Sequence, residues 1–179
     1  MSGAWIFVCG PSGAGKDSVI ALAQQTIGEH QDIVFARRLV TRPAQAGSDH
    51  DPVSEAQFHA LRQAGGLRWH WQAHGFHYAI AARYAADVQA GRRVVVNGSR
   101  AHVQGLSPSA EVRRVEVTAS PALLAARLAG RDRDTASAVA DRLARGAACF
   151  GSRAANCVIV NDAELAVAAQ RLADYLTGD

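Results

Sequence analysis

The clearest candidate for a functional site in this chain is a glycine-rich segment that contains one lysine. The run is Gly10-Pro11-Ser12-Gly13-Ala14-Gly15-Lys16-Asp17-Ser18, and Lys16 is the only lysine among 179 residues. Glycines let the backbone curl until successive N–H groups face one anion, and a helix N-terminus adds about half a positive charge. The segment therefore predicts a loop that binds phosphate, with Lys16 contacting the β- and γ-phosphates of a nucleotide.

The flanking sequence supplies the elements that must position this loop. An apolar run, Trp5 to Cys9, precedes it, and a helical pattern, Val19 to Ala23, follows it. Strand, loop and helix in this order are the context that the phosphate-binding loop requires. The alternative is a glycine-rich turn with an ordinary lysine.

Asp17 stands where such loops usually have a serine or threonine that ligates Mg²⁺. A carboxylate is also a hard oxygen ligand, so Asp17 is a candidate magnesium ligand, directly or through water. The alternative is an acidic residue that favours the positive end of the helix, with Ser18 as a solvated neighbour.

Composition predicts one cytoplasmic α/β domain spanning residues 1–179. A chain of this size can bury ~70% of the surface of its unfolded state, and no apolar run approaches the ~20 residues of a membrane span. The three cysteines, Cys9, Cys149 and Cys157, lie in apolar stretches, which indicates reduced structural thiols. The net charge is +3, but the arginines are scattered, and we expect pairs such as Arg37-Arg38 beside strands to be solvated strand ends rather than a binding surface. We therefore expect no nucleic-acid partner, and the lack of a long apolar run predicts no membrane partner.

Apolar strand patterns alternate with helical patterns along the chain. We expect one strand over residues 33–40, a helix opened by a Ser54–Gln57 capping box, and a helix from about Ala81 to Ala90. Further strands are predicted at 67–71, 94–96, 115–117 and 157–160, and helices after Ser120-Pro121 and over 163–176. This alternation predicts a parallel sheet flanked by helices.

Three further motifs, together with the glycine-rich loop, resemble the guanylate kinase superfamily. They are Thr41-Arg42-Pro43, Gly75-Phe76-His77-Tyr78 and Val160-Asn161-Asp162. The resemblance implies a P-loop kinase fold with an acceptor-binding lobe at about 36–90 and an arginine-bearing lid at about 127–145. It also implies that ATP and Mg²⁺ are bound and that Asn161 belongs to the ATP site.

By the same resemblance, the lid arginines are Arg127, Arg131 and Arg142. Arg127 and Arg131 are one helical turn apart, so they can share a face and stabilise the anionic charge of a transferring phosphoryl group. The alternative is a charged helix pair held by ion pairs to Asp134 or Asp141.

The acceptor positions depart from guanylate kinase itself. Arg42 and Tyr78 match, but Arg68 stands where a glutamate would bind guanine, and Ile80 replaces a serine. Arginine offers hydrogen-bond donors only, so it cannot accept hydrogen bonds from a base. These changes suit a phosphorylated acceptor without a base.

The run Asn97-Gly98-Ser99-Arg100-Ala101-His102 follows a buried strand, at the carboxyl end where open parallel sheets bind ligands. With Lys16-Asp17, it resembles the ribose 1,5-bisphosphate phosphokinase family of phosphonate catabolism. The resemblance implies transfer of a phosphoryl group from ATP to a phosphorylated sugar bound by Arg42, Arg68, Tyr78, Asn97, Ser99 and Arg100. A nucleoside monophosphate kinase and a non-catalytic binding module remain alternatives, and the oligomeric state stays open.

The segment from Trp69 to Tyr78 is rich in histidine and aromatic residues. Alternation in a strand places Trp69 and Trp71 on one face and His70 on the other. We therefore expect packing aromatics and no convergent zinc site formed by His70, His74 and His77.

Overall fold

A computed structural model describes residues 3–44, 49–107, 109, 111–129 and 155–178. The strands are β1 Ala4–Cys9, β2 Ile33–Ala36, β3 Arg38–Val40, β4 His50–Pro52, β5 Leu67–Ala73, β6 Phe76–Ala81, β7 Arg93–Asn97, β8 Val112–Thr118 and β9 Cys157–Val160. The helices are α1 Lys16–Ile27, α2 Glu55–Gln63, α3 Tyr84–Gln89, α4 Arg100–Gly105, α5 Pro121–Ala129 and α6 Leu165–Thr177. None of these helices is long and apolar enough to cross a membrane.

The strands form two sheets. The larger has the order β2-β7-β1-β8-β9, in which β2 pairs with β7 and β8 with β9 in parallel. The smaller has the order β4-β3-β6-β5, with β3 parallel to β4 and β6 antiparallel to both β3 and β5. The predicted α/β fold with a parallel sheet and flanking helices is confirmed. The mixed second sheet was not predicted.

The chain forms two compact units. One comprises residues 1–6, 30–97 and 108–112, and its core includes the buried side chains of Trp5, Phe58, Ile80 and the valines of β7. The predicted acceptor lobe, residues 36–90, falls within this unit. Its α2 begins with the predicted capping box: Ser54 accepts from the Gln57 amide, and Gln57 accepts from the Ser54 amide.

The other unit comprises residues 7–29, 98–107 and 113–179. Within it α1 packs against α6, and the buried side chains include Val8, Val19, Leu172 and Leu176. Because the glycine-rich loop joins β1 to α1, this packing holds the helix at whose N-terminus the predicted phosphate site lies.

Two predicted elements are wrong in their bounds. The single strand expected over 33–40 is two strands in different sheets, because Arg37 separates β2 from β3. The helix expected from about Ala81 begins only at Tyr84, because Ala81 ends β6, which pairs with both β3 and β5. Alanine has a high helix propensity, but strand pairing overrides it here.

Candidate active site

The loop from Gly10 to Gly15 connects β1 directly to α1, as predicted. Gly13 and Gly15 have φ angles of 88° and 78°, in the left-handed region that side chains rarely adopt. A Cβ atom at Gly10 would lie 2.0 Å from the carbonyl oxygen of Val117, so this position also requires glycine. The backbone is thus curled at the N-terminus of α1, where a loop can bind an anion, and the Ala14 amide donates to the Pro11 carbonyl oxygen at 3.2 Å.

Lys16 and Asp17 form an ion pair at the first turn of α1. Lys16 Nζ lies 2.7 Å from Asp17 Oδ1, and the lysine side chain is 16% exposed whereas the aspartate side chain is 72% exposed. Within the described residues no group of three histidine, cysteine or acidic side chains could hold a metal ion alone. Mg²⁺ bound to a nucleotide needs few protein ligands, so one exposed carboxylate beside the loop fits that ion.

Asn161 and Arg127 donate hydrogen bonds to backbone carbonyl oxygens of the loop. Asn161 is 3% exposed, and its Nδ2 donates to the Ala14 carbonyl oxygen at 2.8 Å. Arg127 donates from Nη2 to the Asn161 carbonyl oxygen at 3.1 Å and from Nη1 to that of Gly13 at 3.4 Å. Both residues therefore contact the loop that the sequence analysis assigned to ATP. The other predicted lid arginines, Arg131 and Arg142, lie outside the described residues.

Cys9 ends β1 immediately before the loop, and it is a free, buried thiol. Burial raises its pKa from 9.0 to about 11, and Glu116 adds to the rise. The thiol is therefore neutral at physiological pH, which suits the structural role that we predicted and leaves it a poor nucleophile. Cys157 is also free, and Cys149 lies outside the described residues.

Asn97 lies at the end of β7 and belongs to a polar network. Its Nδ2 donates to Asp49 Oδ2 at 2.7 Å, and Arg38 Nη2 forms an ion pair with the same oxygen. The Arg38 side chain is only 12% exposed. The expectation that the Arg37-Arg38 pair is a solvated strand end is therefore wrong for Arg38, whereas Arg37 is exposed and pairs with Asp51.

Tyr78 on β6 is 7% exposed and lies beside this network. The Arg38 guanidinium carbon lies 5.8 Å from the centroid of the Tyr78 ring. On the other neighbouring strand, Trp71 stacks on Tyr78 with ring centroids 5.7 Å apart and an interplanar angle of 8°. Tyr78 and Asn97 are thus brought together through Arg38 and Asp49.

Arg42 and Arg68 have different surroundings. The Arg42 side chain is exposed, and its carbonyl oxygen lies 3.4 Å from Nε2 of the buried His50. Arg68 is exposed as well, at an irregularity in the β5–β6 register, with its guanidinium 4.6 Å from the centroid of the Trp69 ring.

Arg68 also lines a cleft of about 560 Å³ with Trp5, Gly91 and Glu111. These three residues stand at the amino ends of β1, β7 and β8. Ligands of open parallel sheets bind at the carboxyl ends. The assignment of Arg68 to the acceptor stays a prediction.

Ser99 and Arg100 begin α4. Ser99 is the N-cap residue, but its side chain makes no capping hydrogen bond, so a purely structural cap does not explain it. Arg100 is half-buried and lines a small cleft with Cys9, Arg114 and Glu116. Both stay predicted substrate residues.

His70 and His77 share a face of the small sheet, since both rings contact Phe58, at centroid distances of 6.5 Å and 5.0 Å. His74, with a φ of 51°, lies in the turn between β5 and β6. Trp69 and Trp71 lie on the opposite face, as alternation predicts.

Comparison with known proteins identifies the family. No protein-family model matches the chain. The ribose 1,5-bisphosphate phosphokinase PhnN of Acidiphilium cryptum (strain JF-5) is 50% identical over 147 residues, which are 82% of this chain and 79% of that protein. The protein of the same name from Methylobacterium radiotolerans is 41% identical over 177 residues, 98% of each. The chain belongs to the ribose 1,5-bisphosphate phosphokinase family.

A solved structure supports the fold. The guanylate kinase from Anaplasma phagocytophilum superimposes with a TM-score of 0.69 over 99% of this chain and 86% of that one, at 18% identity. At that identity the likeness concerns the fold alone. The P-loop kinase fold that the motifs predicted is thereby confirmed.

The sequence predicted Trp71 as a packing aromatic, but it did not predict the network around Tyr78 that Arg38 and Asp49 form. Arg38 precedes the buried Val40 by two positions, and period-two alternation in a strand puts both on one face, which is a signal for an inward guanidinium. Asp49 lies outside any regular pattern, so only the fold brings it to Asn97.

Proposed function

We propose that this chain transfers the γ-phosphoryl group of ATP to the 1-phosphate of ribose 1,5-bisphosphate, giving 5-phospho-α-D-ribose 1-diphosphate and ADP. The observation that carries the proposal is a curled glycine-rich loop followed by Lys16, between β1 and α1, in a chain that is 50% identical to a relative named for this kinase activity. The reaction would serve phosphonate breakdown in the cytoplasm.

The donor nucleotide binds at the loop. Amide groups from Ser12 to Asp17, apart from that of Ala14, which donates to the Pro11 carbonyl oxygen, hold the β- and γ-phosphates, and Lys16 adds a positive charge. Asp17 would hold Mg²⁺ by its carboxylate, and the bound ion would neutralise charge on the phosphates. Binding of the nucleotide would draw Lys16 from Asp17 to the phosphates and leave that carboxylate for the ion.

The acceptor nucleophile is already an anion. An oxygen of the 1-phosphate attacks the γ-phosphorus in line while the bond from that phosphorus to the bridging β,γ-oxygen breaks, and the electron pair leaves with ADP. No proton has to be removed from the nucleophile, so a general base is unnecessary. Catalysis then rests on positioning and on positive charge, which Lys16, Arg127, Arg131 and Arg142 would supply.

The acceptor would be held by hydrogen-bond donors. Arg42 and Arg100 suit phosphate groups, because a guanidinium can make two parallel hydrogen bonds to them. Tyr78 offers a hydroxyl, and Asn97 offers an amide whose orientation Asp49 fixes. Ser99, with a hydroxyl that does not cap α4, suits a phosphate or a sugar hydroxyl. Arg68 completes the proposed set, but the cleft that it lines is at the amino ends of strands, whereas ligands of open parallel sheets bind at the carboxyl ends.

A nucleoside monophosphate kinase is the other candidate, because the fold is that of a guanylate kinase. Phosphorus NMR of parallel reactions with ATP separates the two. We expect ribose 1,5-bisphosphate to be converted to the 1-diphosphate with one ADP formed per product, and GMP to be a poor acceptor. Efficient formation of GDP with ribose 1,5-bisphosphate unchanged would refute the proposal.

A further inference from the structure

Tyr78 is enclosed by side chains from both strands that flank β6. Trp71 on β5 stacks on the phenol ring with nearly parallel planes, and Arg38 on β3 places its guanidinium over the same ring. We name these three residues the tyrosine clamp. The whole residue is only 7% exposed, so little of its aromatic surface is accessible.

The hydroxyl of Tyr78 lies in a different environment from its covered ring. It makes no hydrogen bond within the described part of the chain, but it is not fully buried either. A buried phenol usually finds a partner for its hydroxyl. The Tyr78 hydroxyl therefore keeps some access to solvent.

Asp49 links the clamp to Asn97. Its Oδ2 pairs with Arg38 Nη2 and accepts from Asn97 Nδ2 at 2.7 Å. The guanidinium over Tyr78 is thus fixed by a carboxylate rather than held by the aromatic ring alone. A charge-assisted hydrogen bond of this kind restricts the Arg38 rotamer and, through it, the ring of Tyr78.

We propose that Trp71 and Arg38 are positioning residues that select the acceptor: they cover the ring of Tyr78, so that an acceptor meets only its hydroxyl. This inference rests on the proposed function and deepens it. A nucleotide base gains binding energy when it stacks on an exposed aromatic ring. A covered ring denies a nucleoside monophosphate that contact, whereas a phosphorylated sugar needs only hydrogen-bond donors. The clamp thereby favours an acceptor without a base.

The test is a double-mutant cycle on the full-length chain. Dissociation constants for ribose 1,5-bisphosphate and for GMP are measured by calorimetry, and kcat and KM are measured separately, for the wild type, Trp71→Ala, Tyr78→Phe and the double variant. We expect Trp71→Ala to weaken sugar binding about 3- to 10-fold, as for loss of one aromatic pair, with KM for ATP unchanged. In the Tyr78→Phe background the same substitution should have almost no effect on sugar binding, because the hydroxyl that it positions is absent.

The affinity for GMP should change in the opposite direction. Once Trp71 is removed, the base can stack on the uncovered ring, so we expect roughly five-fold tighter GMP binding or more. Trp71→Phe keeps a stacked ring and should restore most of the wild-type selectivity. His70→Ala is the matched control, since His70 neighbours Trp71 on the same strand but lies on the opposite face, where its ring contacts Phe58 instead of Tyr78.

Each outcome is decisive. Equal effects of Trp71→Ala in both backgrounds would overturn the positioning role, and unchanged GMP binding would overturn the selection. If Trp71→Ala does not fold, Trp71→Leu and Arg38→Met enter the same cycle with the same expectations. Failure of the wild type to form the 1-diphosphate would instead refute the proposed function, and the binding cycle would still report on the clamp.

Discussion

The Asn161 side-chain amide donates to the carbonyl oxygen of Ala14 across 147 positions of sequence, at 2.8 Å and almost fully buried. The same Nδ2 atom would lie 2.6 Å from a Cβ at Gly15, which accounts for glycine at that position. Arg127 in turn donates to the carbonyl oxygen of Asn161. The segment after β9 therefore fixes the shape of the phosphate loop, and with it the direction of the loop amides.

Replacing Asn161 by alanine should destabilise the protein and loosen the loop together. The Ala14 carbonyl would lose its buried donor, a loss of ~1–3 kcal/mol in the free energy of unfolding. We expect a higher dissociation constant for ATP in calorimetry and a lower denaturant midpoint. Asn156→Ala is the control, because the exposed Asn156 side chain also bonds the backbone but accepts from the Arg114 amide instead of donating to the loop. Equal ATP binding by both variants would contradict this role.

Lys16→Ala should remove most of the turnover and leave the fold intact. The ammonium is the side-chain charge of the phosphate loop, and loss of one comparable electrostatic donor typically costs ~10²–10³-fold in kcat. The rate of ADP formation measures the loss, and circular dichroism checks the fold. Near-normal turnover in folded protein would rule out the phosphate-loop assignment.

Asp17→Asn tests the magnesium role. An amide oxygen can still ligate Mg²⁺ but has no charge, so we expect the Mg²⁺ concentration for half-maximal activity to rise more than KM for ATP. The variant also removes the ion pair to Lys16, which is worth little at a 72% exposed carboxylate. Titration of Mg²⁺ at saturating ATP measures the magnesium requirement, and KM for ATP is measured separately. If neither constant changes, Asp17 has no role in magnesium binding and is only an acidic residue at the helix N-terminus.

The sequence alone predicts the structure around residues whose conformation depends on their immediate neighbours in the chain. Gly13, Gly15 and Lys16 form a loop whose function follows from contiguous residues, and the Ser54–Gln57 capping box is equally local. The burial of Arg38 was misjudged because its surroundings depend on pairing between distant strands, and the assignment of Arg68 to the acceptor stays a prediction. The irregularity beside Arg68 and the separation of β3 from β2 arise from tertiary pairing, which no local pattern encodes.

The Cys9 thiol predicts a pH dependence of stability. Its pKa rises from 9.0 to about 11 on folding, mainly through burial. Below pH 9 both states keep the proton, so the full stability is present. As pH rises from 9 through 11 only the unfolded state loses the proton, so stability falls by up to ~1.4 kcal/mol per pH unit. Urea unfolding between pH 8 and 11 should show a shallower fall for Cys9→Ala than for Cys157→Ala, and equal slopes would contradict this assignment.

Arg42 and Arg68 should contribute unequally to acceptor binding. Arg42 follows β3, at the carboxyl end of a strand, with an exposed guanidinium, whereas Arg68 packs over Trp69 and lines a cleft at the amino ends of other strands. Loss of a hydrogen bond to a charged group typically costs ~1.5–3 kcal/mol, so Arg42→Ala should raise KM for ribose 1,5-bisphosphate by roughly 10- to 100-fold. Arg68→Ala should raise it less and should lower the unfolding midpoint instead, because the cation–π contact is lost. Steady-state kinetics with the sugar varied at saturating ATP, together with urea unfolding, compare the two variants. A larger KM increase for Arg68→Ala than for Arg42→Ala would place Arg68, despite its cleft, among the principal acceptor ligands.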